Sequence, residues 1–190
     1  DIRPSRGLGD VYKRQRVIVT AAPHQSGKDE YLMILMILAL DIEVCYLSAK
    51  WTMRRIPIPF IKPKDIDNQG IPWPLGWLQE IVFRKFGAIP VDRKGNSGQY
   101  DSVVQELLKR DNFLLIITPE GRFDATRFRS SFLYLAKELE AEVMPVQIDY
   151  EHDTLQFLES LNLDGSEEEV IQRLRSCFDG IKGRKSRFRA

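Results

Sequence analysis

Residues 16–29 read RVIVTAAPHQSGKD, and this stretch decides the fold. Its first seven residues are mostly β-branched or small and carry a single charge at Arg16, which predicts a buried strand over 16–22. Pro23 ends the strand, residues 24–28 form a polar turn, and Asp29 opens a helix running to about residue 40. Further out, a second strand is expected over 42–47. Residues 48–74 hold Pro57, Pro59, Pro63, Pro72 and Pro74, so no long helix survives there. A helix over 75–86 follows, with Gly87 placed to cap it, then a short strand over 88–91. A turn at 95–98 leads into an amphipathic helix over 100–110. The apolar run 113–118 is a buried strand, 122–129 a charged loop, 130–140 a helix and 143–148 another strand. An edge strand is expected at 154–158. The last helix, 166–178, carries Glu167, Glu168 and Glu169 in its first turn, where acidic groups suit the helix dipole.

Strands alternating with helices in this way predict an α/β fold, a mostly parallel central sheet flanked by helices. Ligands of such sheets sit beyond the carboxyl ends of the strands. The polar motifs fall there: after Ala22, after Val91 and after Thr118.

Composition narrows the function. With 190 residues, 43% hydrophobic and 29% charged, residues 16–190 suit a single compact domain. Lys and Arg number 28 against 27 Asp and Glu, so no global field points to a nucleic-acid partner. The basic end, Lys182, Arg184, Lys185, Arg187 and Arg189, is expected to be solvated, with contact to anionic lipid as the alternative. Cys45 and Cys177 form neither a metal spacing nor a disulfide framework and suit a reducing, cytoplasmic setting. The longest apolar run, 31–40, is about half of the roughly 20 residues that span a bilayer, so no full transmembrane segment is expected. Residues 5–15, SRGLGDVYKRQ, resemble the conceptual translation of a sequencing adaptor. Residues 1–15 are therefore expected to be non-native, with the native sequence starting near Arg16 and an N-terminal membrane anchor left open.

Three loops carry groups suited to chemistry. In Pro23-His24-Gln25-Ser26-Gly27-Lys28-Asp29, a histidine at a strand end is followed five residues later by a carboxylate that can return across the turn. A carboxylate on one ring nitrogen fixes the tautomer and leaves the other nitrogen able to take a proton from a hydroxyl. Taken alone, the pair fits a surface turn in which Asp29 caps the helix better than it fits a catalytic pair. In Gly87-Ala88-Ile89-Pro90-Val91-Asp92-Arg93, Arg93 offers a bidentate fork to a phosphate, or is an ordinary surface arginine. In Thr118-Pro119-Glu120-Gly121-Arg122, a carboxylate and a glycine directly after a buried strand suit close backbone approach to a ligand. Arg122, Arg127 and Arg129 add positive charge. Glu120 is placed to orient an arginine or to bond an acceptor hydroxyl, unless the loop is simply solvated. His152 is expected on a surface turn.

Taken in order, these blocks resemble the lysophospholipid acyltransferase family, which includes the 1-acyl-glycerol-3-phosphate acyltransferases. His24, Ser26 and Asp29 fit its His-x-x-x-x-Asp block. Gly87, Ile89 and Arg93 fit Gly-x-Ile-x-x-x-Arg, and Pro119, Glu120 and Gly121 fit Pro-Glu-Gly-Thr-Arg. Val143, Met144, Pro145 and Val146 fit the apolar strand with a proline. Phe178, Asp179 and Gly180 are similar to the ending of short bacterial members. Two departures stand out. The Thr expected after Gly121 is missing, leaving Arg122 as the motif arginine, and the stretch 50–74 is longer and richer in proline than usual.

The resemblance implies transfer of a fatty acyl group from acyl-CoA or acyl carrier protein to the hydroxyl of a lysophospholipid or glycerol phosphate. His24 is then the general base and Asp29 its orienting partner. Arg93, Glu120, Gly121 and Arg122 hold the acceptor phosphate, with Ser26 alongside in the first block. Neither a metal nor a redox cofactor is implied. The partners are the lipid acceptor, the acyl carrier and a membrane surface at the cytoplasmic face, with a place in phospholipid biosynthesis. The segments around Trp51, Met53, Arg54 and Arg55, and around Trp73, Leu75, Trp77 and Leu78, are as well suited to an interface with lipid as to a packed core. A catalytically silent lipid- or phosphate-binding protein of the same fold is the rival reading. A thioesterase or lipid hydrolase is another, and Ser26 as nucleophile is a minor variant.

Overall fold

The computed structural model describes residues 15–24, 29, 32, 44–50, 52–56, 71–91, 99–121 and 127–184. The chain divides into two compact units, one formed by Asp1–Glu43 with Asp111–Ala190 and the other by Val44–Arg110. The architecture is the expected mixed α/β one, with mostly parallel strands and helices packed on them.

In the first unit, β1 (Arg16–Ala22) lies between β6 (Phe113–Ile117) and β7 (Glu142–Asp149). Both pairings are parallel, with Val19 opposite Ile116 on one side and Met144 on the other. Every residue of β1 after Arg16 is buried, as are all five of β6. That explains the near-continuous apolar runs: a parallel strand is covered on both faces, so neither face selects for polar residues. β8 (Thr154–Phe157) adds antiparallel to β7, with Ile148 opposite Leu155, and its alternating exposure suits the expected edge strand. Helix α3 (Ser131–Leu139) packs on β1 and β7, burying Phe132, Leu135, Ala136 and Leu139. Each such large apolar side chain taken from water contributes about 1.5–3 kcal/mol. Helix α4 (Glu167–Ser176) starts at a full capping box between Ser166 and Glu169, two reciprocal bonds that satisfy otherwise orphaned N–H groups.

In the second unit, β2 (Val44–Ala49) pairs parallel with β5 (Ala88–Val91), from Tyr46 opposite Ala88 to Ala49 opposite Val91. That register carries β2 two residues beyond the expected end at 47. Helices α1 (Gly76–Lys85) and α2 (Gln99–Leu107) both pack against β5. Gly87 has φ +86°, and a Cβ there would come within 1.9 Å of the Val44 carbonyl oxygen. The glycine is thus required twice, by its left-handed backbone and by the approach of β2. Its own carbonyl accepts from the Tyr46 N–H at 3.0 Å. The proline-rich stretch is less irregular than expected. A 3-10 turn at Thr52–Arg54 leads into β3 (Arg55–Ile56), which pairs antiparallel with β4 (Ile71–Pro72). The pairing stays two residues long, since Pro72 has no N–H to extend a ladder.

Of the expected helix over 29–40, Asp29 and Leu32 are helical and its other residues lie outside the described ones. So do residues 1–14, the turn at 95–98 and most of the loop after Gly121. Helix α2 ends three residues short of 110, where the Arg110 N–H turns back to the Leu107 carbonyl. Among the described residues no helix is long and apolar enough to cross a membrane.

Candidate active site

The order β6-β1-β7 places the segments that follow these three parallel strands side by side at one sheet edge. His24 follows β1, Glu120 follows β6 and Tyr150 follows β7. Adjacent parallel strands deliver their carboxyl ends to the same edge, so topology alone brings together residues about a hundred positions apart.

β1 leaves through Pro23, whose peptide bond with Ala22 is cis. His24 is 9% exposed and Asp29 1%. Nδ1 of His24 faces Oδ2 of Asp29 at 3.2 Å. With Nδ1 protonated, the ring donates to the carboxylate and Nε2 keeps a lone pair for an incoming proton. Five residues of sequence separate the pair, and Asp29 lies in helix.

Glu120 is 8% exposed, and its Oε2 accepts the backbone N–H of His24 at 2.7 Å. Loss of solvation raises the Glu120 carboxyl above its ordinary value. The Asp29 charge adds to the rise, while the bond from His24 and the His24 charge oppose it. Glu120 therefore ties the third block to the first, a link absent from the sequence reading.

The backbone after Glu120 folds back on itself. The Gly121 N–H donates to the Thr118 carbonyl at 3.0 Å and the Arg129 N–H to the Pro119 carbonyl at 2.8 Å. Gly121 has φ +67°, and a Cβ on it would lie 3.2 Å from Nε of Arg129. Arg129, counted from sequence only as nearby charge, thus packs against the glycine of this block. Phe128 meets Phe178 edge to face at 5.8 Å, and the Arg175 guanidinium lies over its ring. The C-terminal segment therefore braces the loop that follows the third block.

Tyr150 is the residue that sequence reasoning missed. Its hydroxyl donates to Oδ1 of Asp29 at 2.5 Å. Its N–H donates to the Lys182 carbonyl at 2.9 Å, and the Lys182 ammonium pairs with Glu151. The Lys182 backbone is therefore docked on the end of β7, while its side chain stays exposed as expected. His152 is on the surface as expected, 2.7 Å from Asp149, which raises its pKa.

Ser26, Arg93 and Arg122 lie outside the described residues. In the segments weighed for lipid contact, Met53 is fully buried and belongs to the core, whereas Leu75, Trp77 and Leu78 are exposed. Trp73 is half-buried, its Nε1 donating to Gln79 at 2.9 Å. Among the described residues no group of three or more His, Cys, Asp or Glu is placed to hold a metal ion.

No curated protein matches the chain. The family model described as Acyltransferase matches residues 74–149, which spans the blocks at Gly87 and Pro119 and all of β7, and begins after His24 and Asp29. That match makes residues 74–149 similar to the acyltransferase family, on the expected α/β frame, and supports acyl transfer as the general chemistry.

Proposed function

We propose that the chain moves a fatty acyl group from the thioester of coenzyme A or acyl carrier protein to the hydroxyl of a lysophospholipid or glycerol phosphate. The observation that carries this reading is the buried Asp29 carboxylate facing Nδ1 of His24 at a sheet edge, in a chain with an acyltransferase match. Nε2 of His24 takes the proton of the acceptor hydroxyl as its oxygen attacks the thioester carbonyl. The Asp29 carboxylate stabilises the imidazolium that forms. Collapse of the tetrahedral intermediate breaks the C–S bond, and the imidazolium returns its proton to the leaving thiolate. An ester and a free thiol result, with no acyl-enzyme and no metal or redox cofactor in the balance.

Glu120 holds the His24 backbone in place. Arg93 and Arg122 are assigned to the acceptor phosphate, with Ser26 alongside His24 in the first block.

The membrane is the assigned partner surface, at its cytoplasmic face. Helix α1 supports this, with Trp77 56% and Phe86 60% exposed beside exposed Leu75, Leu78, Ile81 and Val82. Arg84 and Lys85 in its last turn complement anionic headgroups. Trp77→Ser with Phe86→Ser should then lower cosedimentation with anionic vesicles; undiminished cosedimentation removes this surface from the account.

The test of substrate is incubation of the full chain with labelled acyl-CoA or acyl carrier protein and a panel of lysophospholipids and glycerol phosphate. Label in the acceptor lipid is the expected result. Release of free fatty acid alone would make the protein a hydrolase. No turnover on any pair would leave it a lipid-binding protein.

A further inference from the structure

We propose that Tyr150 is a positioning residue for the His24–Asp29 pair, holding the carboxylate so that one oxygen stays directed at the imidazole. The inference rests on the proposed role of that pair.

A carboxylate at the start of a helix can rotate about its side-chain torsions, and a rotation that swaps or withdraws its oxygens loses the contact with His24. Here the two oxygens are engaged from different directions. Oδ2 faces Nδ1 of His24 at 3.2 Å, and Oδ1 accepts from the Tyr150 hydroxyl. With Oδ1 fixed, the plane and direction of Oδ2 are fixed as well. Asp29 is 1% exposed, so water competes little for either oxygen, and a hydrogen bond to a buried charge is among the stronger ones.

Tyr150 is itself held. It is the first residue after β7, whose register against β1 is continuous from Val17 to Ala22. Its N–H is bonded to the Lys182 carbonyl, and the Glu151–Lys182 ion pair closes the same junction. Gln147, near the end of β7, donates to the Cys177 carbonyl at 2.6 Å, tying the strand to the residue after α4. The hydroxyl is thus presented from the rigid end of a strand braced by the C-terminal segment. A chain of Tyr, Asp and His runs from β7 to the edge of β1, and in such a buried chain each bond polarises the next.

Burial, the bond to Asp29 and the Asp29 charge all hold the Tyr150 phenol well above its ordinary range, with Arg184 partly opposing. The hydroxyl therefore remains a donor wherever the enzyme works.

Tyr150→Phe removes one oxygen and keeps the ring. The expected result is a fall in kcat of about tenfold, with KM for acyl donor and acceptor within about twofold and the thermal midpoint little changed. A purely structural role would not separate kcat from KM in this way. In an Asp29→Asn background the same substitution should cost nothing further, because the group it positions is gone. The chain has two histidines, so a His152→Asn background leaves the His24 ring alone in the imidazole ¹⁵N spectrum. There Tyr150→Phe should move the ring from mainly Nδ1–H toward a mixture of tautomers.

Wild-type kcat together with an unchanged tautomer in Tyr150→Phe would overturn the proposal. So would an equal loss in the Asp29→Asn background. Should the wild type transfer no acyl group to any acceptor, the proposed function fails by itself, and the ¹⁵N spectrum still decides whether Tyr150 sets the state of His24.

Discussion

The Glu120 carboxylate accepts the backbone N–H of His24 at 2.7 Å across 96 residues of sequence. A bond to backbone fixes where the strand end lies, and so fixes the origin from which the imidazole extends. Glu120→Ala removes the acceptor of a buried N–H, at a cost of about 1–3 kcal/mol. The thermal midpoint should drop by several degrees and transfer activity should fall with it. Calorimetry on the variant checks the first; an unchanged midpoint would mean the bond contributes little.

Glu120→Gln separates charge from hydrogen bonding, because the amide oxygen can still accept from His24. The folded-state pKa of Glu120 is raised, so the folded chain binds more protons than the unfolded one between the ordinary value of 4.5 and the raised value. Its contribution to stability is complete below that window and is lost as pH rises through the folded pKa. Thermal midpoints across pH 4 to 8 should therefore show the Gln variant gaining on the wild type as pH rises. Parallel curves for the two proteins would show that Glu120 titrates as an ordinary surface carboxylate.

Asp29→Asn keeps the shape of the side chain but removes the charge that stabilises an imidazolium. Transfer should slow by roughly 100-fold or more with KM little affected. Steady-state kinetics gives both constants. A rise in KM with kcat intact would instead place Asp29 in substrate binding.

Gly87→Ala forces a Cβ against the Val44 carbonyl at a left-handed backbone position. Strain and overpacking together should cost about 2–4 kcal/mol, lowering the thermal midpoint by roughly 5–10 °C. A variant as stable as wild type would contradict the close approach of β2 to this turn.

Thr20 is fully buried, and its hydroxyl finds no hydrogen-bond partner among the described residues. Thr20→Val replaces it with a methyl group of similar shape and should raise stability by about 1 kcal/mol, since an unmet buried hydroxyl is costly. Chemical denaturation measures this, and a loss of stability would reveal a partner for the hydroxyl.

The frame was legible in the sequence because its signals are local. β1 and β6 are near-continuous apolar runs, as strands buried on both faces are, and Ser166 with Glu169 spells out its own cap. Gly87 was legible as a helix terminator, though the crowding by Val44 that makes it obligatory belongs to a strand over forty residues away. The juxtaposition of His24 and Asp29 was legible because only five residues separate them. Tyr150 was not, since its hydroxyl meets Asp29 across 121 residues and nothing near Tyr150 distinguishes it from a strand-end tyrosine. The tie from Glu120 to His24 was hidden for the same reason: a carboxylate after a strand can face ligand or backbone, and only the strand order decides. β3 and β4 left no trace because two residue pairs, one of them containing a proline, produce no periodicity.

The most direct test of the central claim is the transfer rate of His24→Ala with labelled acyl thioester and a lysophospholipid acceptor, measured on protein shown by thermal unfolding to be folded. The account predicts a loss of roughly 100- to 10,000-fold in kcat. Turnover close to that of the wild type would contradict it.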